Sequence, residues 1–305
     1  MLVFNSIPHL PLQEVFYPAI EQAGLRLFVL RTDLTHLEVS GNKWFKLKYN
    51  LQEALDLGYD TILTFGGAYS NHIHATATAA KLYGLKSIGV IRGEAGETLN
   101  DTLTDATAKG MHLHFVSRTA YRSKTEADFL ADLKSKFGDV YSIPEGGSNA
   151  LAVKGTQEIT AFINMNYDYI CCAAGTGGTL AGIAESLRDS KTQVIGFPVL
   201  KNGAFILDEV ATLLNKYNQT ELPSNLSLNT NYHFGGYAKT KPALLQFMQQ
   251  FEKTTQIPLE QVYTAKMMFG IFDLIEQGYF DKGKTIVAVH TGGLQGRDKR
   301  IDLSN

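Results

Sequence analysis

The segment DTILTFGGAYSNH occupies residues 60–72 and is followed by an alanine-rich run over residues 74–80. A short apolar run, a Gly-Gly break and then small helix-forming residues are typical of a β-strand, a tight turn and an α-helix. Ser70, Asn71 and His72 are therefore predicted to lie where a strand ends and a helix begins. Ligands bind at this edge of open α/β sheets, so a binding site is predicted here. The alternative is that Ser70 and Asn71 only cap the helix.

A second segment, YICCAAGTGGTLAG at residues 169–182, has the same order of apolar run, glycine-rich turn and helix. Free backbone N–H groups, threonine hydroxyls and a helix N-terminus together favour a bound dianion such as a phosphate monoester. The turn is not a Walker loop, because no Lys-Ser or Lys-Thr pair follows the glycines. The alternative is that the glycines serve only tight packing. The predicted phosphate-binding residues are Gly175, Thr176, Gly177, Gly178 and Thr179.

Two further segments carry reactive or polar side chains at similar places. The segment TIVAVHTGG at residues 285–293 is predicted to be a buried strand that ends in Thr291 and two glycines. The segment SGNKWFKLKY at residues 40–49 puts Lys43 in the first turn of a predicted helix. A helix N-terminus and partial desolvation by the following Trp-Phe pair both favour the neutral amine, which is a nucleophile. The alternative is a solvated lysine at a helix start.

These four segments together predict pyridoxal 5′-phosphate as the cofactor. Its aldehyde condenses with a lysine amine, for which Lys43 is the candidate, and its phosphate needs a site such as the turn at residues 175–179. Its phenolic oxygen accepts a hydrogen bond from an amide, for which Asn71 is the candidate. Its ring nitrogen needs a polar partner, for which Thr291 is the candidate.

The chain resembles the pyridoxal-phosphate enzymes that group 1-aminocyclopropane-1-carboxylate deaminase with D-cysteine desulfhydrase, within the tryptophan-synthase-β-like fold. The resemblance runs from about Pro8 to about Gly293. Gly41-Asn42-Lys43 is similar to the Gly-Asn-Lys of the family, and FKLKY at residues 45–49 stands where the family has an Arg-Lys-Leu-Glu-Tyr-like stretch. Residues 66–72 are similar to its Gly-Gly-x-x-Ser-Asn-x turn, and VYTAK at residues 262–266 to its Val-Tyr-x-Gly-Lys.

The resemblance implies a role for each matching residue. Lys43 binds the cofactor covalently, and Ser70 lies beside a small amino-acid substrate. Asn71 contacts the cofactor ring, and His72 follows the Ser-Asn pair as a further pocket residue. Tyr263 lies against the pyridine ring, and Tyr237 is a looser match to a second active-site tyrosine. The expected catalytic residues are Lys43, Ser70, Tyr263 and Tyr237, and the expected substrate-binding residues are Ser70, Asn71 and His72.

Two threonines decide which reaction the resemblance implies. Deaminases of this family carry a glutamate after the tyrosine and a leucine in a C-terminal His-Leu-Gly-Gly, where this chain has Thr264 and Thr291. Both threonines are similar to the D-cysteine desulfhydrase pattern, so conversion of D-cysteine to pyruvate, hydrogen sulfide and ammonia is expected. The first alternative is 1-aminocyclopropane-1-carboxylate deaminase. The second is a relative that binds the cofactor without turnover, since residues 94–97 leave little room for a substrate loop.

Strand-like runs alternate with helical ones along the chain, including strand-like runs at residues 85–91, 112–116 and 194–197. This alternation predicts an α/β fold of open, mostly parallel sheets with flanking helices. The resemblance divides the fold into a larger domain, residues 1–50 and 151–305, and a smaller one, residues 51–150, with pyridoxal 5′-phosphate between them. The Asn-rich residues 215–231 are predicted to form a surface loop.

Composition excludes several classes of protein. A formal charge of −2 without a basic block argues against a nucleic-acid partner. No apolar run approaches the ~20 residues of a membrane span, and no signal sequence is expected. The adjacent Cys171 and Cys172 are predicted to be buried thiols, which suits the cytoplasm. The histidine pairs lack further ligands at metal-binding spacing, so no metal is expected. Family members are commonly dimers, which implies a homodimer.

Overall fold

The computed structural model describes residues 9–298 and Ile301. Within these residues the chain forms ten β-strands in two separate sheets, with eleven α-helices around them. Nine of the ten strands join their neighbours in parallel, and only the first strand is antiparallel. The predicted α/β class with two open, mostly parallel sheets is therefore confirmed.

The larger sheet has six strands in the order β1-β2-β10-β7-β8-β9. Their bounds are Leu12–Glu14 (β1), Arg26–Leu30 (β2), Tyr169–Ala174 (β7), Gln193–Pro198 (β8), Leu226–Leu228 (β9) and Thr285–Val289 (β10). The smaller sheet has four parallel strands in the order β5-β4-β3-β6. Their bounds are Thr61–Gly67 (β3), Lys86–Arg92 (β4), Met111–Val116 (β5) and Tyr141–Ile143 (β6).

The helices cover the faces of the two sheets. Their bounds are Pro18–Ala23 (α1), Asn42–Asp56 (α2), Asn71–Leu82 (α3), Asp101–Ala108 (α4), Arg118–Arg122 (α5), Ala127–Phe137 (α6), Ala150–Thr156 (α7), Gly178–Ser186 (α8), Ile206–Asn218 (α9), Pro242–Thr255 (α10) and Thr264–Glu276 (α11). In the part of the chain that is described, no helix combines the length and the apolar character needed to cross a membrane.

After their first residues the central strands of the larger sheet are apolar and buried, because both faces of this sheet are covered. In β10, Ile286 and Ala288 belong to one hydrophobic cluster, whereas Val287 and Val289 belong to the cluster on the other face. All four side chains are fully buried. Such continuous apolar runs are what parallel strands with helices on both faces require.

The three strand predictions are confirmed, since β4, β5 and β8 cover them to within one residue at each end. The prediction of a surface loop over residues 215–231 is wrong at its start and again at residues 226–228. Helix α9 continues to Asn218, and residues Leu226–Leu228 form the edge strand β9 beside β8. The strand was not predicted because asparagine-rich segments are typical of loops. It pairs with β8 through its backbone, and its two leucines pack on the core.

We propose that the two sheets are the centres of the two domains. The expected boundary at residues 50/51 falls inside α2, a helix that packs against α7 and α3. Cutting a continuous helix would separate Leu51 from its hydrophobic neighbours, so we propose that the smaller domain begins after Asp56. The second boundary, near residue 150, coincides with the start of α7.

Candidate active site

Lys43 lies in the first turn of α2, as predicted. Gly41 precedes the helix with a φ of 67°, and a Cβ there would overlap the Thr291 carbonyl. The backbone N–H of Asn42 donates to that carbonyl at 3.2 Å, so the helix start is fixed to the turn after β10. Lys43 is partly buried and its Nζ donates to Asn42 Oδ1 at 3.0 Å. Burial lowers the pKa of Lys43 to about 8, which makes the neutral amine accessible.

Ser70 and Asn71 lie at the start of α3, at the carboxyl end of β3. The Ser70 hydroxyl accepts hydrogen bonds from the N–H groups of His72 and Ile73, at 3.2 and 3.3 Å. Capping of the helix by Ser70 is therefore confirmed, and its contact with a substrate stays a prediction. Asn71 Oδ1 accepts from Gln295 at 2.7 Å, and both residues line one cavity with Lys43.

His72 lies in the interior, with 1 % of its surface exposed. Its Nε2 is 2.8 Å from the hydroxyl of Thr64, which itself donates to the Ile143 carbonyl. Thr64 has a single hydroxyl proton, so His72 must donate from Nε2 and keep an unprotonated Nδ1. Burial, together with the charges of Lys43 and Lys46, holds the pKa of His72 well below its usual value. His72 is therefore a neutral side chain beneath the site, and its contact with substrate stays a prediction.

The glycine-rich turn connects β7 to α8, as predicted. Gly177 has a φ of 76° and precedes the first residue of α8, Gly178, so the free N–H groups of the helix start lie in this turn. Thr176 Oγ1 is 2.6 Å from Ser148 Oγ, which lies just before α7. Thr179 Oγ1 accepts from the side-chain amide of Asn42 at 2.9 Å. The turn therefore adjoins the start of α2.

Lys46 reaches the same turn, and the sequence analysis gave it no role. Its Nζ donates to the Gly146 carbonyl at 2.8 Å and to Ser148 Oγ at 2.9 Å, and lies 3.5 Å from Thr176 Oγ1. Lys46 is 2 % exposed, and burial and the charge of Lys43 lower its pKa well below the usual value. All three partners are neutral oxygens, so an anion bound here would supply the missing opposite charge. The sequence did contain an indication of this role, because Lys46 lies one helical turn after Lys43 and so on the same face of α2.

Tyr263 lies directly before α11 and packs against the glycine-rich turn. A Cβ on Gly175 would lie 3.1 Å from the Tyr263 ring and 3.2 Å from its hydroxyl. The Tyr237 ring stands edge-on to the Tyr263 ring, with the ring centroids 6.1 Å apart. Burial raises the pKa of both tyrosines, so both stay protonated. The structure thus brings the two predicted tyrosines together beside the predicted phosphate site.

Thr291 and Thr264 have different surroundings. Thr291 lies in the turn after β10 and lines the cavity that also holds Lys43 and Asn71. Thr264 is fully buried in the first turn of α11, where its hydroxyl accepts from the N–H of Glu260 at 2.9 Å. Thr264 therefore fixes the start of the helix, and Thr291 is the better candidate for a contact with the cofactor.

Glu260 is a buried carboxylate that the sequence analysis did not single out. Its two oxygens accept hydrogen bonds from the N–H groups of Val262, Tyr263 and Thr264, at 2.6 to 2.7 Å. Burial raises the pKa of Glu260 to about 7, against the stabilising effect of these hydrogen bonds. The carboxylate of Glu260 satisfies backbone N–H groups at the start of α11 and thereby holds the backbone of Tyr263 in place.

The fold and this site define a pyridoxal-phosphate enzyme of the tryptophan-synthase-β-like type. Lys43, the Asn71 amide and the glycine-rich turn lie at the starts of α2, α3 and α8, and Lys43 and Asn71 line one cavity. The chain belongs to the pyridoxal-phosphate dependent enzyme family, whose model matches residues 6–292. The protein is an enzyme of that family, and its cofactor is pyridoxal 5′-phosphate.

Within this enzyme family, the chain is similar to proteins named as 1-aminocyclopropane-1-carboxylate deaminases, one of which is also named as a D-cysteine desulfhydrase. A Thermotoga maritima protein whose name proposes it as a 1-aminocyclopropane-1-carboxylate deaminase is 33 % identical, over 90 % of this chain and 91 % of its own. The mitochondrial bifunctional D-cysteine desulfhydrase/1-aminocyclopropane-1-carboxylate deaminase of Arabidopsis thaliana is 30 % identical, over 97 % of this chain and 80 % of its own. The crystal structure of a deaminase homologue superposes with a TM-score of 0.83 at 30 % identity, covering 95 % of this chain and 91 % of that one.

The residues at the glycine-rich turn fit the phosphate group of this cofactor. Among the described residues Lys46 offers a buried amine with only neutral oxygen partners, which a bound phosphate would hold in its charged form, and Thr176 and Ser148 offer hydroxyls beside it. A Cβ at Gly178 would lie 2.6 Å from Ser148 Oγ and 3.0 Å from Lys46 Nζ, so only glycine leaves these polar groups in place.

Gly178→Ala is therefore expected to weaken cofactor binding at least about tenfold, because the added methyl group displaces the cation and hydroxyl that bind phosphate. Titration of the apoprotein with pyridoxal 5′-phosphate measures the effect. The matched control is Gly96→Ala, since a Cβ there would meet only the Thr98 carbonyl, at 3.5 Å. An unchanged affinity in Gly178→Ala would contradict the assignment of this turn to phosphate.

Proposed function

We propose that this enzyme is a D-cysteine desulfhydrase, which converts D-cysteine and water to pyruvate, hydrogen sulfide and ammonia. The observation that carries the proposal is Thr291, a hydroxyl side chain in the cavity lining beside Lys43, where family deaminases have leucine. A cavity-lining hydroxyl supports a hydrogen bond to the pyridine nitrogen of the cofactor, which leucine cannot make.

Five side chains would hold the cofactor in addition to Lys43, which would bind it covalently. Lys46, Thr176 and Ser148 would bind its phosphate, together with the N–H groups at the start of α8. The Asn71 amide would donate to its phenolic oxygen, and Thr291 would bind its ring nitrogen. Bound pyridoxal 5′-phosphate supplies an electron sink, which stabilises the negative charge left on the substrate Cα when a proton is removed.

Lys43 would move the proton at Cα. Its pKa of about 8 lets the amine accept a proton and return it near neutral pH, because burial has removed much of the preference for the ammonium form. The substrate carboxylate would lie at the start of α3, where the Ser70 hydroxyl and the positive end of the helix dipole favour an anion. This arrangement presents the Cα–H bond to Lys43 while the carboxylate is fixed.

The leaving group explains the preference for a cysteine substrate. Loss of the Cα proton is followed by departure of the β-thiolate, and the electron pair of the Cα–H bond becomes the Cα=Cβ bond. The resulting 2-aminoacrylate reacts with water to give pyruvate and ammonia. A hydroxyl at the ring nitrogen holds no full proton there, unlike a carboxylic acid, so the electron sink is moderate. A moderate sink favours rapid expulsion of a good leaving group.

The alternative is 1-aminocyclopropane-1-carboxylate deaminase, which releases 2-oxobutanoate and ammonia. The names of the relatives support it. The cyclopropane Cα carries no hydrogen, so ring opening depends on a placed nucleophile, and Ser70 with Tyr263 or Tyr237 would serve. A strong electron sink would help that reaction more than thiol elimination, and Thr291 offers less of one than a carboxylate.

We also propose that the enzyme is a cytoplasmic homodimer, as the family resemblance implies. Cys171 and Cys172 are both free thiols in the interior, which supports a reducing compartment. Sedimentation of the purified protein tests the oligomeric state.

The reaction is tested by incubating purified holoenzyme with D-cysteine and measuring sulfide and pyruvate together. Equal amounts of both products are expected, since each turnover releases one of each. L-cysteine serves as the matched control, because it has the same leaving group with the opposite configuration at Cα. Absence of sulfide from D-cysteine would contradict the proposal.

A further inference from the structure

Lys266 lies one helical turn after Tyr263 in α11 and is 1 % exposed. A lysine so completely buried is rare in proteins unless its ammonium has partners. Lys266 belongs neither to the proposed phosphate site, nor to the cavity beside Lys43, nor to the helix start at Ser70. Its surroundings are therefore the best guide to what it does.

The ammonium of Lys266 holds the loop that leads into Tyr237. Its Nζ donates to the carbonyls of His233 at 3.0 Å and Gly236 at 2.8 Å. These two carbonyls also accept the N–H groups of Gly236 and Lys239, at 2.9 and 3.1 Å, which close the turns of this loop. One buried cation thus binds both carbonyls on which the loop conformation depends.

The backbone of this loop needs such support. Phe234 and Ala238 both have a φ of 53°, in the left-handed region that side chains other than glycine rarely adopt. Gly235 and Gly236 between them have φ values of 100° and 122°. Two non-glycine residues in this region cost free energy that contacts from outside the loop must offset.

Glu260 and Lys266 together hold the two tyrosines of the site. The Glu260 carboxylate accepts the backbone N–H of Tyr263 at 2.6 Å, and Lys266 fixes the residue directly before Tyr237. Burial lowers the pKa of Lys266 to about 8, and attraction to Glu260 opposes that shift. Lys266 lies on α11 and Glu260 binds the first N–H groups of the same helix, so the start of one helix positions both aromatic rings.

We propose that Lys266 is a positioning residue, which fixes the turn at residues 233–236 so that the Tyr237 ring keeps its edge-on contact with Tyr263 beside the substrate. This assignment rests on the proposed function and on the expectation, implied by the family resemblance, that both tyrosines are active-site residues. Lys266 itself acts only through Tyr237.

A double-mutant cycle tests whether Lys266 affects kcat through Tyr237. Lys266→Met is expected to lower kcat for D-cysteine about tenfold or more with cofactor retained, because Tyr237 leaves its position. Tyr237→Phe is expected to lower kcat in the parent, and to have less than half of that effect, on a logarithmic scale, in Lys266→Met. Additive effects of the two substitutions would overturn the proposal.

Limited proteolysis of the apoprotein tests the structural part without any turnover. Lys239 is exposed and follows the loop, so trypsin cleavage after it reports how firmly the loop is held. Cleavage in Lys266→Met is expected to be at least about tenfold faster than in the parent. The matched control is Lys253→Met, an exposed lysine on the neighbouring α10, with parent-like cleavage expected.

A second variant covers the case in which Lys266→Met does not fold. Lys266→Gln keeps two N–H donors without the charge, and its loop is expected to be cleaved faster than that of the parent. Unchanged cleavage in the folded variants would overturn the proposal. A parent that acts on neither candidate substrate would refute the proposed function, and the proteolysis would still decide the role of Lys266 in the loop.

Discussion

A Lys43→Ala variant is expected to lose the covalent link to pyridoxal 5′-phosphate and at least about a thousandfold in activity. Alanine removes both the amine that attacks the cofactor aldehyde and the group proposed to carry the Cα proton. Burial lowers the pKa of this amine to about 8, so the side chain is adapted to act as a nucleophile. Borohydride reduction of the parent, followed by peptide mapping, is expected to find the yellow chromophore on Lys43.

The matched control for this prediction is Lys48→Ala. Lys48 lies on the same helix but forms an ion pair with Glu158 at 2.7 Å, away from the glycine-rich turn. Its loss is expected to leave colour and activity unchanged, since partly exposed ion pairs contribute little. A chromophore mapped to Lys46 or Lys48 would contradict the assignment of Lys43.

Thr291→Val is expected to lower kcat for D-cysteine about tenfold while the protein keeps its cofactor. Valine has the shape of threonine without the hydroxyl, so the ring nitrogen loses its partner at a cost of about 1–3 kcal/mol. This hydrogen bond matters most as charge develops in the ring, so the loss falls on kcat rather than on KM. Steady-state sulfide release measures kcat and KM, and the visible spectrum of the holoenzyme shows whether the cofactor is retained.

Thr285→Val is the matched control for the Thr291 prediction. Thr285 begins the same strand, β10, at the end opposite to the turn that carries Thr291. Thr285→Val is expected to have the kcat and KM of the parent. A lower kcat in this control would show that losing any threonine hydroxyl on or near this strand impairs the enzyme. A Thr291→Val enzyme indistinguishable from the parent would remove the observation on which the choice of reaction depends.

The positions of the main site residues could be predicted because each follows from a local pattern. An apolar run, glycines and a helix predicted that Ser70 and Gly175 follow strands, and an apolar run ending in Thr291 and two glycines predicted the same for Thr291; ligands bind at such strand ends in α/β sheets. Lys43 followed from a glycine and an amide before an amphipathic helix. The strand β9 was missed because only three residues pair, inside a segment rich in asparagine.

The supporting residues of the site could not be predicted in the same way. The role proposed for Lys46 depends on its contacts with Ser148 and Thr176, which lie about a hundred residues or more away in the chain. Lys266 likewise depends on carbonyls about thirty residues earlier. Burial of an ionisable side chain is decided by such long-range packing, which a single sequence does not display.

The choice between the two reactions is decided by comparing kcat/KM for D-cysteine with kcat/KM for 1-aminocyclopropane-1-carboxylate on one preparation of holoenzyme. Pyruvate and 2-oxobutanoate are the 2-oxo acid products to measure, and they are readily distinguished. We expect a higher kcat/KM for D-cysteine, because thiolate expulsion needs only the moderate electron sink that Thr291 would provide. A higher kcat/KM for the cyclopropane acid would refute the desulfhydrase and establish the deaminase in its place.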